Sequence, residues 1–145
     1  MFPMMEAKEI TFTQTGEASA ALQGEYALVR QAVENLLQNA IEFTPRRGKI
    51  TVHVGKTPTH VELVVKDSGA GIPTYAVERV FERFYSLSRP DTGKKSSGLG
   101  LSVVKQVVLL HQGEVTVRNA PEGGVEARLV FPQSFTSLGE KKTEV

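Results

Sequence analysis

Residues 25–45 read EYALVRQAVENLLQNAIEFTP, and no other stretch constrains the fold as strongly. Val29, Val33, Leu36, Leu37, Ala40 and Ile41 recur at three- and four-residue steps. That is the period of an amphipathic helix with one buried face. Such a helix has to lay its apolar stripe on another layer of structure. Pro45 disfavours helical geometry in the residue before it, so the helix is expected to stop at Thr44. Asn35 and Asn39 lie four apart and share one stripe beside the apolar face. Asn is a mediocre helix former. Taken alone, the pair reads first as two solvated side chains at a helix edge, and only second as a polar face offered to a ligand.

The flanking segments supply the other layer. Residues 9–15 (EITFTQT) alternate and predict an edge strand. Residues 16–24 read as a connection with a short strand near Leu22. Lys49–Lys56 (KITVHVGK) and Val61–Lys66 (VELVVK) predict a hairpin turning at Pro58. Glu114–Asn119 and Val125–Phe131 predict a second hairpin across Pro121-Glu-Gly-Gly124. Pro73 is placed to start a short helix through Phe81. Residues 98–111 (GLGLSVVKQVVLLH) open on glycines and become helical, with Leu101, Val104, Val108 and Leu109 facing inward and Gly113 as the stop. Residues 82–97 are polar and aperiodic, and a loop that long in a compact domain is usually functional. The order predicts an α+β fold: a two-layer sandwich of a mixed, mostly antiparallel sheet with three helices on one face. One domain over residues 9–132 is expected, after a start (1–8) that is disordered or foreign, and before a polar tail (133–145).

Composition excludes several chemistries. Seventeen basic and sixteen acidic residues leave a net charge of +1, so no nucleic-acid partner is implied. There is no cysteine, which excludes disulfides, thiolate metal sites and thiol nucleophiles. No apolar run is long enough to span a bilayer and no signal peptide opens the chain, so the segment reads as a soluble domain, free to be part of a larger membrane protein. His53, His60 and His111 are isolated and read as structural or surface residues, His111 at a helix end where a cation is favourable.

Three further stretches carry chemistry. Asp67-Ser-Gly69-Ala-Gly71-Ile72-Pro73 follows an apolar strand. A carboxylate there accepts hydrogen bonds from an amine such as that of adenine, and glycines let a flat ring approach the backbone. A plain strand-capping turn explains the same residues. Ser96-Ser97-Gly98-Leu99-Gly100-Leu101 opens a helix, where backbone N–H groups favour phosphate. It is neither a dinucleotide fingerprint nor a P-loop. Phe81-Glu-Arg83-Phe84-Tyr85 reads as two aromatic anchors around Arg83, a candidate phosphate partner. Lys94 and Lys95 read first as solvated loop charges and second as phosphate contacts.

Taken in order, these pieces resemble the ATP-binding catalytic domain of sensor histidine kinases, within the superfamily of gyrase-type, heat-shock-chaperone-type and mismatch-repair ATPases. The asparagine box matches Asn35-Leu-Leu-Gln-Asn39-Ala40 with Phe43-Thr-Pro45. The first glycine box matches residues 67–73, the phenylalanine box 81–85 and the second glycine box 98–101. Gly123-Gly124 stand at the family's last glycine turn. The variants FERFYSLSRP, KSSGLGLS and RNAPEGGV look most like the CreC-type two-component sensor kinases. The resemblance implies the Bergerat ATP-binding fold, with residues 82–97 as an ATP lid. It implies Mg²⁺ on Asn39, Asn35 supporting that site or the phosphates, adenine read by Asp67, and Gly69 and Gly71 leaving room for the base. It further implies Ile72 and Phe43 against the nucleotide, and Ser97, Gly98, Leu99, Gly100 and Leu101 at the phosphates, with Arg83, Lys94 and Lys95 as charge partners.

Two departures stand out. The family often has Lys or Arg three residues after the magnesium asparagine, where this chain has Glu42, and it often has Gly-Thr where this chain has Ser96-Ser97. Hydrolysing members of the superfamily carry a water-orienting Glu four residues before the magnesium asparagine. Here that position is Asn35, which cannot act as a general base, and Glu34 is rotated about 100° away. The resemblance therefore implies a protein-histidine kinase domain. Its γ-phosphoryl acceptor would be a histidine on a dimerisation domain of the same full-length protein, with onward transfer to a response regulator. The full-length protein would be a homodimeric inner-membrane sensor with this domain in the cytoplasm. An anti-sigma-type Ser/Thr kinase and a nucleotide-sensing interaction module share the fold and stay open as alternatives.

Overall fold

The structure, a computed structural model, describes residues 3–17, 21–82, 100–133 and 142–144, the strands at 21–23 and 142–144 by their backbone alone. In chain order the elements are α1 (Pro3–Ala7), β1 (Thr11–Gly16), β2 (Ala21–Gln23), α2 (Tyr26–Phe43), β3 (Lys49–Lys56), β4 (His60–Asp67), α3 (Gly100–Leu110), β5 (Glu114–Asn119), β6 (Val125–Pro132) and β7 (Lys142–Glu144). Five strands form one mixed sheet in the order β1-β3-β4-β6-β5. Only β1–β3 is parallel; the other three pairings are antiparallel. β1 is an edge strand, as its alternation predicts. The short strand expected near Leu22 is β2, and it pairs with β7, inside the stretch read as a polar tail.

Alternation decides which side of the sheet is covered. Ile50, Val52 and Val54 of β3, Val61, Leu63 and Val65 of β4, and Ala127, Leu129 and Phe131 of β6 are all buried. With a side-chain period of two, each set points to one face. α2 and α3 lie on that face and complete the core with Val29, Ala32, Leu36, Ala40, Ile41, Val104, Val107 and Val108. The opposite face carries ion pairs, among them Arg118–Glu126 and Arg128–Glu62. The result is the expected α+β two-layer sandwich. Among the described residues no helix is long and apolar enough to cross a membrane.

The helix ends follow local chemistry. Thr44 leaves the helix at φ −90°, ψ 129°, as Pro45 requires. It is fully buried, and its hydroxyl donates to the Ala40 carbonyl at 2.7 Å. α3 stops at a Schellman turn in which Gly113 N–H reaches Val108 C=O at 2.8 Å and Gln112 N–H reaches Leu109 C=O at 3.1 Å. The left-handed residue is Gln112 (φ 58°), not the expected Gly113. Gly113 is glycine for space, since a Cβ would run into the Val130 carbonyl.

His111 joins the two helices. Its Nδ1–H donates to Val107 C=O at 2.8 Å, and its Nε2 accepts the Glu25 N–H at 3.0 Å. Both bonds together require the neutral ring. The residue is therefore a structural bridge between the end of α3 and the start of α2.

Three expectations are corrected. Residues 73–81 make no α-helix but successive three-residue turns, with a 3₁₀ segment only at Val77–Arg79. Ala76, Arg79 and Glu82 donate in turn to Pro73, Ala76 and Arg79. Only Ala76 and Val80 are buried there, so no continuous apolar stripe pulls the segment into a longer helix. In α3, Val107 is buried and Leu109 is 60% exposed, because 101, 104, 107 and 108 share a face and 109 is turned away from it. β1 begins at Thr11 rather than Glu9, whose φ of 55° breaks the strand and whose carboxylate meets Arg46 and Arg47.

Within the opening segment, α1 and Lys8 touch the core and the end of α2. Met4 and Met5 pack against the core. Lys8 Nζ donates to the carbonyls of Ile41, Glu42 and Thr44 at 3.0, 3.1 and 2.9 Å. A cation on the carbonyls at a helix C-terminus is stabilising. Lys8→Met is expected to lower unfolding free energy by about 1–2 kcal/mol, read from urea denaturation. An unchanged midpoint would show that water replaces the ammonium at no cost.

Candidate functional site

The end of β4, the end of α2 and the tip of the β5–β6 hairpin meet at one place. Asp67 is the last residue of β4, the strand flanked on both sides, so its backbone is held from two directions. Its Oδ1 accepts two backbone N–H groups, Gly69 at 2.9 Å and Val125 at 3.2 Å. Among the described residues no donor reaches Oδ2. Desolvation by burial pushes the Asp67 pKa above the usual carboxylate value, against the pull of the two N–H groups. A half-buried carboxylate with one oxygen fixed and the other left over is a ready acceptor for an amine.

Glycines make the close approaches. A Cβ on Gly69 would stand 2.5 Å from the Phe43 carbonyl oxygen, so the loop lies directly on the end of α2. A Cβ on Gly124 would run into the Asp67 carbonyl, and Gly124 is itself at φ 79°. The loop then turns at Gly71, φ 89°, and is tied down at Ile72. Asn119 Oδ1 accepts the Ile72 N–H at 2.7 Å and Asn119 Nδ2 donates to the Ile72 carbonyl at 2.8 Å.

α2 supplies the second wall. Asn39 lies one turn before Phe43, half-buried, and has no hydrogen-bond partner among the described residues. Asn35, a further turn back, accepts from Gln31 Nε2 at 2.7 Å and donates from Nδ2 to the Gly100 carbonyl at 3.4 Å. Asn35 thus reaches the start of α3, where Gly100 would accept a Cβ without meeting any described atom within 4 Å. Leu101 packs against the core. Glu34 is held by Arg30 at 2.8 Å on a different side of the helix from Asn35.

Of the residues singled out from sequence, Asn35, Asn39 and Phe43 lie on α2, Asp67, Gly69, Gly71 and Ile72 at the end of β4 and in the loop after it, and Gly100 and Leu101 at the start of α3. Arg83, Lys94, Lys95, Ser97, Gly98 and Leu99, and the expected lid after Glu82, lie outside the described residues. Phe81 is half-buried as the expected anchor, with Lys105 Nζ 5.4 Å from its ring centroid. Sequence reading missed Asn119 and Lys8. The only signal for Asn119 was its place immediately before the Ala-Pro-Glu-Gly-Gly hairpin.

Comparison with known proteins decides the family. Residues 24–134 match the family model described as "Histidine kinase-, DNA gyrase B-, and HSP90-like ATPase". The chain belongs to this ATPase family. It is 51% identical over 129 residues to the sensor protein CreC of Escherichia coli (strain K12), covering 89% of this chain and 27% of that relative. The solved structure of the mycobacterial sensor histidine kinase MprB superposes at a TM-score of 0.75 with 36% identity, covering 88% of this chain and 85% of that one. The catalytic domain of histidine kinase ThkA gives 0.76 with 28% identity, covering 89% and 84%. ThkA in complex with response regulator protein TrrA gives 0.74 with 26% identity, covering 90% and 36%. The chain is an ATP-binding catalytic domain of the sensor histidine kinase type. It spans about a quarter of the length of CreC.

Proposed function

We propose that this domain binds MgATP in the cleft between α2, the 67–73 loop and α3, and transfers the γ-phosphoryl group to a histidine on a dimerisation domain of a longer, homodimeric sensor kinase. A response regulator would receive the group in turn, as the pairing of ThkA with TrrA suggests. The domain would sit on the cytoplasmic side of an inner-membrane sensor, as the sensor-kinase names of its relatives suggest. The observation that carries the reading is Asp67, fixed through Oδ1 by two backbone N–H groups and left with Oδ2 for an incoming amine. Adenine presents an exocyclic amine at the edge where guanine presents a carbonyl, so an ionised acceptor selects adenine.

The residues fit a magnesium ion shared with phosphate. Among the described residues no three His, Cys, Asp or Glu converge as a metal cage. Mg²⁺ bound with nucleotide commonly takes one or two protein oxygens and completes its shell with phosphate and water. Asn39 Oδ1 is the described oxygen that suits this. The ion, when bound, neutralises phosphate charge. Asn35, engaged by Gln31 and Gly100, stands where a hydrolase needs a water-orienting carboxylate, so hydrolysis is not promoted. The chain's part in transfer is positioning and charge stabilisation. Gly98, Leu99, Gly100 and Leu101 would offer N–H groups to the phosphates, and Arg83, Lys94 and Lys95 would offset the acidic Glu42.

Mixing the chain with ATP, Mg²⁺ and a histidine-bearing helical domain tests the reading. Acid-labile, base-stable phosphate is expected on the partner. Acid-stable label on serine would favour an anti-sigma-type kinase, and binding without transfer to any partner would favour a sensing module. Glu42→Lys is expected to tighten ATP binding about two- to fivefold at low salt, the gain shrinking as salt screens it. Equal affinities for both forms would mark that position as electrostatically idle.

A further inference from the structure

We propose that Asn119 is a positioning residue for the base-binding loop: its carboxamide clasps both backbone polar groups of Ile72 and sets the wall against which the purine is read. The proposal rests on the nucleotide reading above. Asn119 ends β5, an edge strand two places from β4 and its Asp67 in the sheet order. Its two bonds, 2.7 Å from the Ile72 N–H and 2.8 Å to the Ile72 C=O, copy the pairing of one strand with another. Only one orientation of the amide satisfies both, so oxygen and nitrogen are assigned by the partners themselves.

Nothing else described ties the loop down in this way. From Ala70 to Tyr75 the loop makes no other hydrogen bond to a distant part of the chain among the described residues. Gly71 is matched to the clasp, because a Cβ there would stand 2.9 Å from Asn119 Oδ1 at a φ of 89°. Asn119 and Val125 are also cross-strand partners. A single rung of the hairpin therefore holds Asp67 through the Val125 N–H and Ile72 through the Asn119 side chain. The distance between the acceptor for the base and the wall beside it becomes a property of the sheet.

Asn119 is exposed. Water can satisfy Ile72 when the amide is removed, so little stability depends on it. What is lost is a loop already in its binding shape, and ordering that loop then falls on the ligand. Ligand affinity and base selectivity should suffer more than folding.

The test uses the whole chain with Asn119→Leu, which keeps size and removes both bonds, and Asn119→Asp, which keeps the acceptor alone. Calorimetry with MgATP and MgGTP, thermal melting and amide exchange at Ile72 are the readouts. Asn119→Leu should lose about tenfold in ATP affinity, narrow the ATP-over-GTP ratio, speed exchange at Ile72 and leave the melting temperature nearly unchanged. Asn119→Asp should fall between it and the unaltered chain. An unchanged ATP-over-GTP ratio in Asn119→Leu overturns the proposal, whether affinity holds or falls in step with melting. Failure of the unaltered chain to bind MgATP overturns the nucleotide reading and the proposal with it.

Discussion

Asp67→Asn is expected to lower ATP affinity about a hundredfold while leaving the fold intact. The amide oxygen can still accept from Gly69 and Val125, so the 67–73 loop keeps its anchor. At the other position an amide nitrogen replaces Oδ2, and donor would face donor at the adenine amine. Stability should hold or rise. Burial raises the folded-state pKa of Asp67 above its unfolded value. Between those two values the folded chain keeps a proton that the unfolded chain has lost, so stability falls as pH rises through that window. Asn has no charge to desolvate and lacks that slope. Nucleotide affinity runs the other way: the unaltered chain should bind ATP less well as pH drops through the raised pKa, and the variant should show no such dependence. Urea melts and calorimetry over a pH series measure both. A variant that binds ATP like the unaltered chain would remove Asp67 from the site.

Asn39→Ala is expected to slow phosphoryl transfer to a histidine-bearing partner by about 10²–10³-fold, with melting unchanged. The side chain is half-buried and has no described partner, so truncating it breaks no internal bond. The discriminating measurement is metal dependence. Magnesium should strengthen nucleotide binding to the unaltered chain and do much less for the variant, while binding in chelator should be the same for both. Equal magnesium enhancement in both forms would place the metal contact elsewhere.

The fold was legible where hydrophobic period was long and punctuation was sharp. β3 and β5 run over the expected residues, and α2 ends at Phe43 with Thr44 as its cap before Pro45. Legibility failed where the deciding contacts were distant. Nothing local in PMMEA announces a helix, but Met4 and Met5 find the core and Lys8 finds the carbonyls at the end of α2. Residues 73–81 carry helix-compatible letters but bury only Ala76 and Val80, no continuous apolar stripe, so they stop at three-residue turns. Leu109 looks like core in a row of aliphatics and points to solvent, because the neighbouring sheet selects Val107 and Val108.

The residue types and their order determined that this chain would layer helices on one face of a mixed sheet, place a carboxylate after an apolar strand and set two asparagines one turn apart. Those are properties of period, of backbone freedom at glycine and proline, and of which atoms accept or donate. The tertiary structure alone decided that the β5–β6 hairpin tip would hold Asp67 and Ile72 from opposite strands, that a lysine near the start would finish α2, and that His111 would tie α3 to α2. Each of these joins residues dozens of positions apart. Such a contact exists only once the sheet register brings its partners within hydrogen-bond reach, and no local pattern carries that information.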